Sequence, residues 1–195
     1  SGFRETFGGI HKKYSINPDI AMFGKTLGNG YAITAVVGKK EIMEVAQNTF
    51  ISSTFWTERI GPTAALRTLE VMEKIKSWEI ITSFGEKIRK GWIECAERQR
   101  INITISGIPA LSNFNFDHKD NLKFKTFLTQ EFLKCGYLAS STFYASTEHS
   151  EDIIDKYLFI FEEILFKIKK CVRGDVKIDS LIDGPVIMSG FKRLN

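Results

Sequence analysis

The residue whose setting most invites chemistry is Lys25, in the run Pro18-Asp19-Ile20-Ala21-Met22-Phe23-Gly24-Lys25-Thr26-Leu27-Gly28-Asn29-Gly30. An apolar stretch delivers an amine into a turn rich in glycine, whose backbone adopts conformations other residues resist. Gly24-Lys25-Thr26 resembles the end of a phosphate loop, but that pattern needs a glycine five residues before Gly24, where Asp19 stands. Without that glycine the main-chain amides cannot wrap a phosphate in the usual way, so a nucleoside triphosphate site is set aside. A lysine that attacks a carbonyl is the better chemical fit. It reacts only as the neutral amine, which a desolvated site or a neighbouring positive charge provides. An ordinary surface-loop lysine is the alternative reading at this point.

His149 stands just before a run with helix-start signals. It could act as an acid or base near neutral pH, but a capping or packing role is the one expected. His11 and His118 fall in expected loops. Cys95, Cys135 and Cys171 are widely spaced, with no Cys-x-x-Cys pair and no histidine at ligand spacing. No metal site is expected from them, and the odd count fits reduced thiols in the cytoplasm.

The elements that must position Lys25 are short. Residues 20–23 read as a buried strand, entered through Pro18-Asp19. Residues 33–38 read as a second buried strand and residues 39–46 as a short helix. Residues 50–55 stay open between strand and loop, and residues 1–15 read as loop. Gly61-Pro62 opens a helix, because proline in the first turn loses no hydrogen bond. Ser77 is placed to cap the next helix. Ile101, Ile103 and Ile105 alternate with Asn102 and Thr104, a strand pattern that residues 111–116 repeat less strictly. Residues 122–135 read as a helix closed by Gly136. Short strands are expected at 137–139 and 143–145. Ser150 caps a last helix whose first turn carries Glu151 and Asp152. The pattern is α/β: the end of a large α/β domain with its linking helix over residues 1–77, a small α+β domain over 78–171, and an extension over 172–195.

Composition narrows the function. The chain is 43% hydrophobic over 195 residues, enough for a packed core. Its net charge of +4 arises from 27 basic and 23 acidic residues spread along the chain, without the concentrated basic patch that nucleic acid requires. No apolar run approaches the ~20 residues of a membrane span. The chain opens on Ser1-Gly2-Phe3-Arg4 rather than Met, and is expected to be the C-terminal half of a longer protein.

The lysine segment resembles the cofactor-lysine motif of the class III pyridoxal-phosphate-dependent aminotransferases, nearest the glutamate-1-semialdehyde aminotransferase (aminomutase) branch. Ser1-Gly2-Phe3-Arg4 is similar to the residues just after that family's Asp-Glu-Val motif. Ile51-Ser52-Ser53-Thr54-Phe55 is similar to its phosphate-contacting threonine segment. Ala145-Ser146-Thr147-Glu148-His149-Ser150-Glu151-Asp152-Ile153 is similar to the stretch that opens its last helix. The resemblance implies the C-terminal part of a fold type I pyridoxal-phosphate-dependent transferase. It implies that Lys25 forms the Schiff base with pyridoxal 5'-phosphate and, once displaced by an incoming amine, moves the proton. It implies that Thr54, with Ser53 beside it, binds the cofactor phosphate. In the family this threonine serves the neighbouring subunit's site, so a homodimer with shared sites is implied. Trp56 would line the site entrance, or pack in the core or dimer interface.

The implied substrates are an amino donor such as glutamate and a keto or aldehyde acceptor. The tail from Asp183 to Asn195 resembles an extension on semialdehyde-like aminotransferases of surface-polysaccharide pathways, which implies a sugar-like or small carbonyl acceptor. The family's pyridine-pairing aspartate, its glycine-rich phosphate turn and its ring-stacking aromatic all fall before Ser1. Transamination is therefore expected of the parent enzyme, and the chain alone is expected to be inactive. No Arg-x-x-Pro-Pro segment is present to clamp a substrate carboxylate. Ala139-Ser140-Ser141-Thr142 lacks the glutamate of the semialdehyde branch, which argues against a true mutase. An intramolecular aminomutase and a non-catalytic dimerisation module remain the alternatives.

Overall fold

A computed structural model describes residues 2–188 and Gly190. Ser1, Ser189 and residues 191–195, which carry parts of the motifs above, lie outside the described residues. The fold is mixed α/β, and the chain divides into two compact units, Ser1–Thr82 and Ser83–Asn195.

In the first unit, β1 (Ile20–Phe23) and β2 (Ala35–Gly38) pair antiparallel, with Ile20 opposite Gly38 and Phe23 opposite Ala35. Successive side chains point to opposite faces of a strand. Phe23 and Ala35 therefore share one face, and they pack on a buried cluster of Phe3, Leu27 and Ala65, joined by Phe7, Ile33, Leu69 and Met72. Ile20, Met22 and Val36 share the other face and stay exposed, Met22 by 79%. The two strands thus differ from the fully buried pair that their apolar runs predict. The second strand also starts late, because the Ile33 amide bonds to the Tyr31 carbonyl (3.0 Å) and its side chain turns into the cluster. Lys39 closes the open end of the hairpin: its amide donates to the Asp19 carbonyl (3.0 Å) and its ammonium pairs with Asp19 Oδ1 (2.6 Å).

The predicted helix over 39–46 is split into α1 (Lys40–Met43) and a 3₁₀ turn (Glu44–Asn48). Residues 50–55 form no strand, and the expected N-terminal loop winds one 3₁₀ helix, Ile10–Tyr14. α2 (Ile60–Ile75) carries Pro62 in its first turn, as expected. The Glu58 carboxylate accepts the amides of Ile60 and Gly61, neutralising the positive end of that helix. Ser77 is not a cap. α3 (Ser77–Gln99) begins on it, and the break from α2 falls at Lys76, which has φ 51° and whose carbonyl accepts the Glu79 amide at 2.9 Å.

The second unit holds an antiparallel sheet in the order β3 (Ile103–Ile108), β4 (Leu111–Phe116), β5 (Thr142–Tyr144). α4 (Asn121–Lys134) and α5 (Glu151–Val172) complete it. β3 begins at Ile103 because Ile101 still finishes α3, its amide bonded to the Ala96 carbonyl at 2.9 Å. No strand forms at 137–139. Gly136, at φ 82°, turns the chain so that the Tyr137 amide donates back to the Phe132 carbonyl (2.9 Å).

α5 obeys its sequence signals closely. Ser150 Oγ accepts the Ile153 amide, Glu151 and Asp152 fill the first turn, and Lys169 and Lys170 the last. Its Ile154, Tyr157, Phe161, Ile164, Leu165 and Ile168 recur at helical spacing and are buried. They meet an aromatic core in which Trp92 lies edge-on to Phe114 (4.7 Å) and Phe132 stacks on Tyr157 (4.8 Å). The segment after α5 packs back on α4. Ile178 is buried, and Gln130 donates to the Leu181 carbonyl (2.9 Å) while accepting the Asp183 amide (2.8 Å).

Candidate active site

The structure places Lys25 two residues beyond the end of β1, at the start of a 3₁₀ turn (Lys25–Leu27). Lys25 adopts φ 49°, the left-handed region that a residue with a Cβ enters only at a cost. The turn is fixed on every side. The Leu27 amide donates to the Gly24 carbonyl (3.1 Å) and the Tyr31 amide to the Gly28 carbonyl (3.2 Å). A Cβ on Gly28 would lie 2.1 Å from the Tyr31 carbonyl oxygen, so only glycine lets the chain fold back there. Leu27 is buried, whereas Lys25 is exposed. The desolvated setting that a neutral amine needs is therefore not supplied by this chain's own residues.

Ser53 and Thr54 sit in the irregular stretch between the Glu44–Asn48 turn and α2, both exposed. The structure separates them chemically. Ser53 Oγ accepts the Phe55 amide at 3.2 Å and is engaged in its own turn. Thr54 makes no hydrogen bond through its hydroxyl or amide among the described residues, leaving two donors open. Around it Phe50, Phe55 and Trp56 are exposed by 96%, 75% and 67%. No hydrogen bond, ion pair or ring contact joins Lys25 to Ser53 or Thr54 among the described residues.

His149 plays the expected structural part: its Nδ1 accepts the Ser146 amide (3.0 Å) and its ring stacks on Phe143 (5.0 Å). Burial pushes its pKa below the usual histidine value, keeping Nδ1 free to accept. The cysteines are all free, and among the described residues no group of His, Cys, Asp and Glu could hold a metal ion. Burial, then the nearby Glu162, pushes the Cys95 thiol up, so it is not an activated nucleophile. No described helix is long and apolar enough to cross a membrane.

Sequence reasoning missed the residues that brace the lysine turn. Phe3 stacks on Phe23 (5.4 Å), and a Cβ on Gly2 would lie 3.5 Å from Thr26 Oγ1. It also missed Glu5, whose nearly inaccessible carboxylate pairs with Lys13 (2.8 Å) and whose Oε1 is buried without a hydrogen bond among the described residues. Neither set lies at a periodic spacing that a linear reading detects.

The mixed α/β chain has the fold of part of a fold type I transferase. The comparisons identify the family. The model for aminotransferase class III matches residues 5–144, and the chain belongs to that family. A 3-aminobutyryl-CoA aminotransferase of Cloacimonas acidaminovorans is 34% identical over 131 residues, covering 67% of this chain and 32% of the relative. A glutamate-1-semialdehyde 2,1-aminomutase of Methanosphaera stadtmanae is 30% identical over 187 residues, covering 87% of this chain and 44% of the relative. The chain thus spans less than half the length of either protein. Among solved structures, the FumI protein of Sphingopyxis sp. MTA144, in its PLP internal aldimine form, superposes with TM-score 0.79 at 21% identity. That match covers 93% of this chain and 44% of the other. An omega-transaminase from Sphaerobacter thermophilus gives TM-score 0.74 at 17% identity, covering 84% and 42%.

Proposed function

We propose that this chain is the lysine-bearing C-terminal part of a pyridoxal-phosphate-dependent aminotransferase, with Lys25 as the residue that binds the cofactor covalently. The observation that carries the reading is the strained, fully braced backbone at Lys25 in a chain of this family. The donor set fits the group: an exposed amine for an aldehyde, and a free hydroxyl with a free amide at Thr54 for a phosphate. When bound, pyridoxal phosphate supplies a carbonyl for imine exchange and a ring that accepts electrons. Lys25 Nζ would anchor the group and, once released, hold and move the proton at the substrate carbon as general base and acid. Thr54 would orient the phosphate, with Ser53 beside it, whose Oγ accepts the Phe55 amide and keeps its O–H to donate.

A homodimer with shared sites supports this arrangement better than a monomer. No hydrogen bond or ion pair joins Thr54 to Lys25 among the described residues, and the exposed Phe50, Phe55 and Trp56 give it an apolar surround suited to a partner subunit. The bare face of Ile20, Met22 and Val36 favours a sheet that continues in a longer protein, where strands are covered on both sides. Free cysteines and the absence of a spanning helix among the described residues agree with a cytoplasmic enzyme. Intermolecular transfer, from a donor such as glutamate to a keto or aldehyde acceptor, is preferred over an aminomutase. Residues 139–142 bring no carboxylate to the small unit, although similarity to an aminomutase keeps that outcome as the second reading.

Borohydride reduction of the full-length, cofactor-loaded polypeptide, followed by peptide mapping, tests the assignment. The pyridoxyl label is expected on Lys25 and is expected to vanish in Lys25→Ala. A label that persists in that variant overturns it. Amino exchange between glutamate and 2-oxoglutarate separates transferase from mutase.

A further inference from the structure

We infer that Phe3 acts as a clamp that holds Lys25 in its left-handed conformation, which makes Phe3, with its partner Phe23, a positioning residue for the lysine. The inference rests on Lys25 being the cofactor lysine and extends that reading to residues with no chemistry of their own. Lys25 is flanked by two contact points. On its N-terminal side the Phe23 ring stacks on Phe3 at 5.4 Å and 27° and meets the His11 ring at 6.4 Å. A Cβ on Gly9 would lie 3.0 Å from the same Phe23 ring, so the backbone closes over it as well. On the C-terminal side Leu27, the last residue of the turn, is buried in the same cluster as Phe3. Phe3 thus braces both the strand residue that enters the turn and the residue that ends it.

A residue with a Cβ stays at positive φ only where its surroundings over-determine it. Hydrogen bonds within the turn fix Leu27 and Tyr31, and pairing with Ala35 sets the strand at Phe23, but the Phe23 ring is held by packing. Phe3 supplies that packing: it is buried, and it belongs to the same cluster as Leu27, the last residue of the turn. Released from the clamp, residue 25 would relax to a helical or extended φ. The Cα–Cβ direction would turn with it and carry the amine away from its working position.

Two independent measurements on Phe3→Ala, Phe3→Leu and Phe3→Tyr test the clamp. In hydrogen exchange of the 195-residue chain without cofactor, Phe3→Ala is expected to speed exchange over residues 24–28 about fivefold, as loss of one aromatic pair allows. Residues of the second unit should not change. In borohydride labelling of the full-length protein with pyridoxal phosphate, the ratio of label on Lys25 to label on Lys39 should fall by a similar factor. Phe3→Tyr, which keeps the ring, should restore both. General loosening would raise or lower both lysines together and leave their ratio unchanged. Should Phe3→Ala fail to fold, Phe3→Leu keeps the burial and removes only the ring stack. Unchanged exchange over 24–28 in a folded Phe3→Ala or Phe3→Leu protein overturns the clamp. Failure of the wild-type protein to label Lys25 overturns the cofactor assignment instead, and exchange still decides the clamp by itself.

Discussion

Replacing Lys25 by glycine should give a more stable protein than replacing it by alanine. Both variants delete the amine. They differ in the backbone, because alanine keeps the Cβ that makes φ 49° unfavourable and glycine does not. The left-handed region costs an L-residue about 1–2 kcal/mol. Glycine gives back about 0.5–1 kcal/mol through the greater freedom of its unfolded chain. The balance leaves Lys25→Gly ahead of Lys25→Ala by about 0.5–1 kcal/mol. With a urea slope of roughly 1.5 kcal/mol per molar, the midpoint should rise by about 0.5 M. Urea titration read by hydrogen exchange in peptides of Ser1–Thr82 isolates the relevant unit. The same pair of substitutions at exposed Arg67, inside α2, is the control. There φ is helical, and alanine should lead by about 1 kcal/mol. An equal or higher midpoint for Lys25→Ala would mean that no strain is stored at Lys25, and the argument from strain to function would fail with it.

Three more outcomes are expected at particular contacts. Gly28→Ala would set a Cβ 2.1 Å from the Tyr31 carbonyl oxygen, and the displaced backbone should cost about 2–3 kcal/mol, measurable as a lower melting temperature. Gln130→Ala removes two of the hydrogen bonds that tie the segment after α5 to α4, at 2.9 and 2.8 Å, and leaves those of Lys123 with Asp179 and of Thr126 with Ile187. Loss of about 1–2 kcal/mol should speed hydrogen exchange over residues 176–188 roughly tenfold while the α5 core stays protected. His149 has its folded pKa pushed below the usual 6.5 by burial, so the unfolded chain binds its proton first. Its contribution to stability is complete above about 6.5 and declines as the pH falls toward the folded value. His149→Asn keeps an acceptor for the Ser146 amide and cannot titrate, so denaturation midpoints measured from about pH 7.5 to 5.5 should lose that component of their pH dependence.

The second unit was the more legible half. α5 announces itself through Ser150, its acidic first turn and the spacing of Ile154, Tyr157, Phe161 and Ile168, each of which acts within one or two turns of chain. The errors there are of register. Ile101 continues the isoleucine alternation but belongs to the end of α3, because a main-chain bond to Ala96 outweighs the pattern. Tyr137-Leu138-Ala139 has strand-like composition, yet the turn at Gly136 directs the Tyr137 amide back to α4 and leaves Leu138 98% exposed. In the first unit the position of Lys25 at the end of a strand could be read locally. The positive φ, the stack of Phe3 on Phe23 and the Glu5–Lys13 pair join segments 8 to 20 residues apart and have no local signature.

The one systematic misjudgement, burial of β1 and β2, bears on function. Ile20-Ala21-Met22-Phe23 is apolar at every position, whereas a strand with one wet face alternates. Such a run fits a strand covered on both sides, and this chain covers only the side of Phe23. The same shortfall recurs at the site: Lys25 and Thr54 are both exposed, with no hydrogen bond or ion pair between them among the described residues. Attack on a carbonyl needs a desolvated amine, so the chemistry proposed for Lys25 would need surfaces that cover Ile20, Met22 and Val36 and bring an open Thr54 to a phosphate. That dependence gives a direct expectation. Lys25 in this chain by itself should react with pyridoxal phosphate about as readily as its other exposed lysines, and should gain its selectivity only in the full-length protein. Selective labelling of Lys25 in the isolated chain would show instead that the braced turn is sufficient.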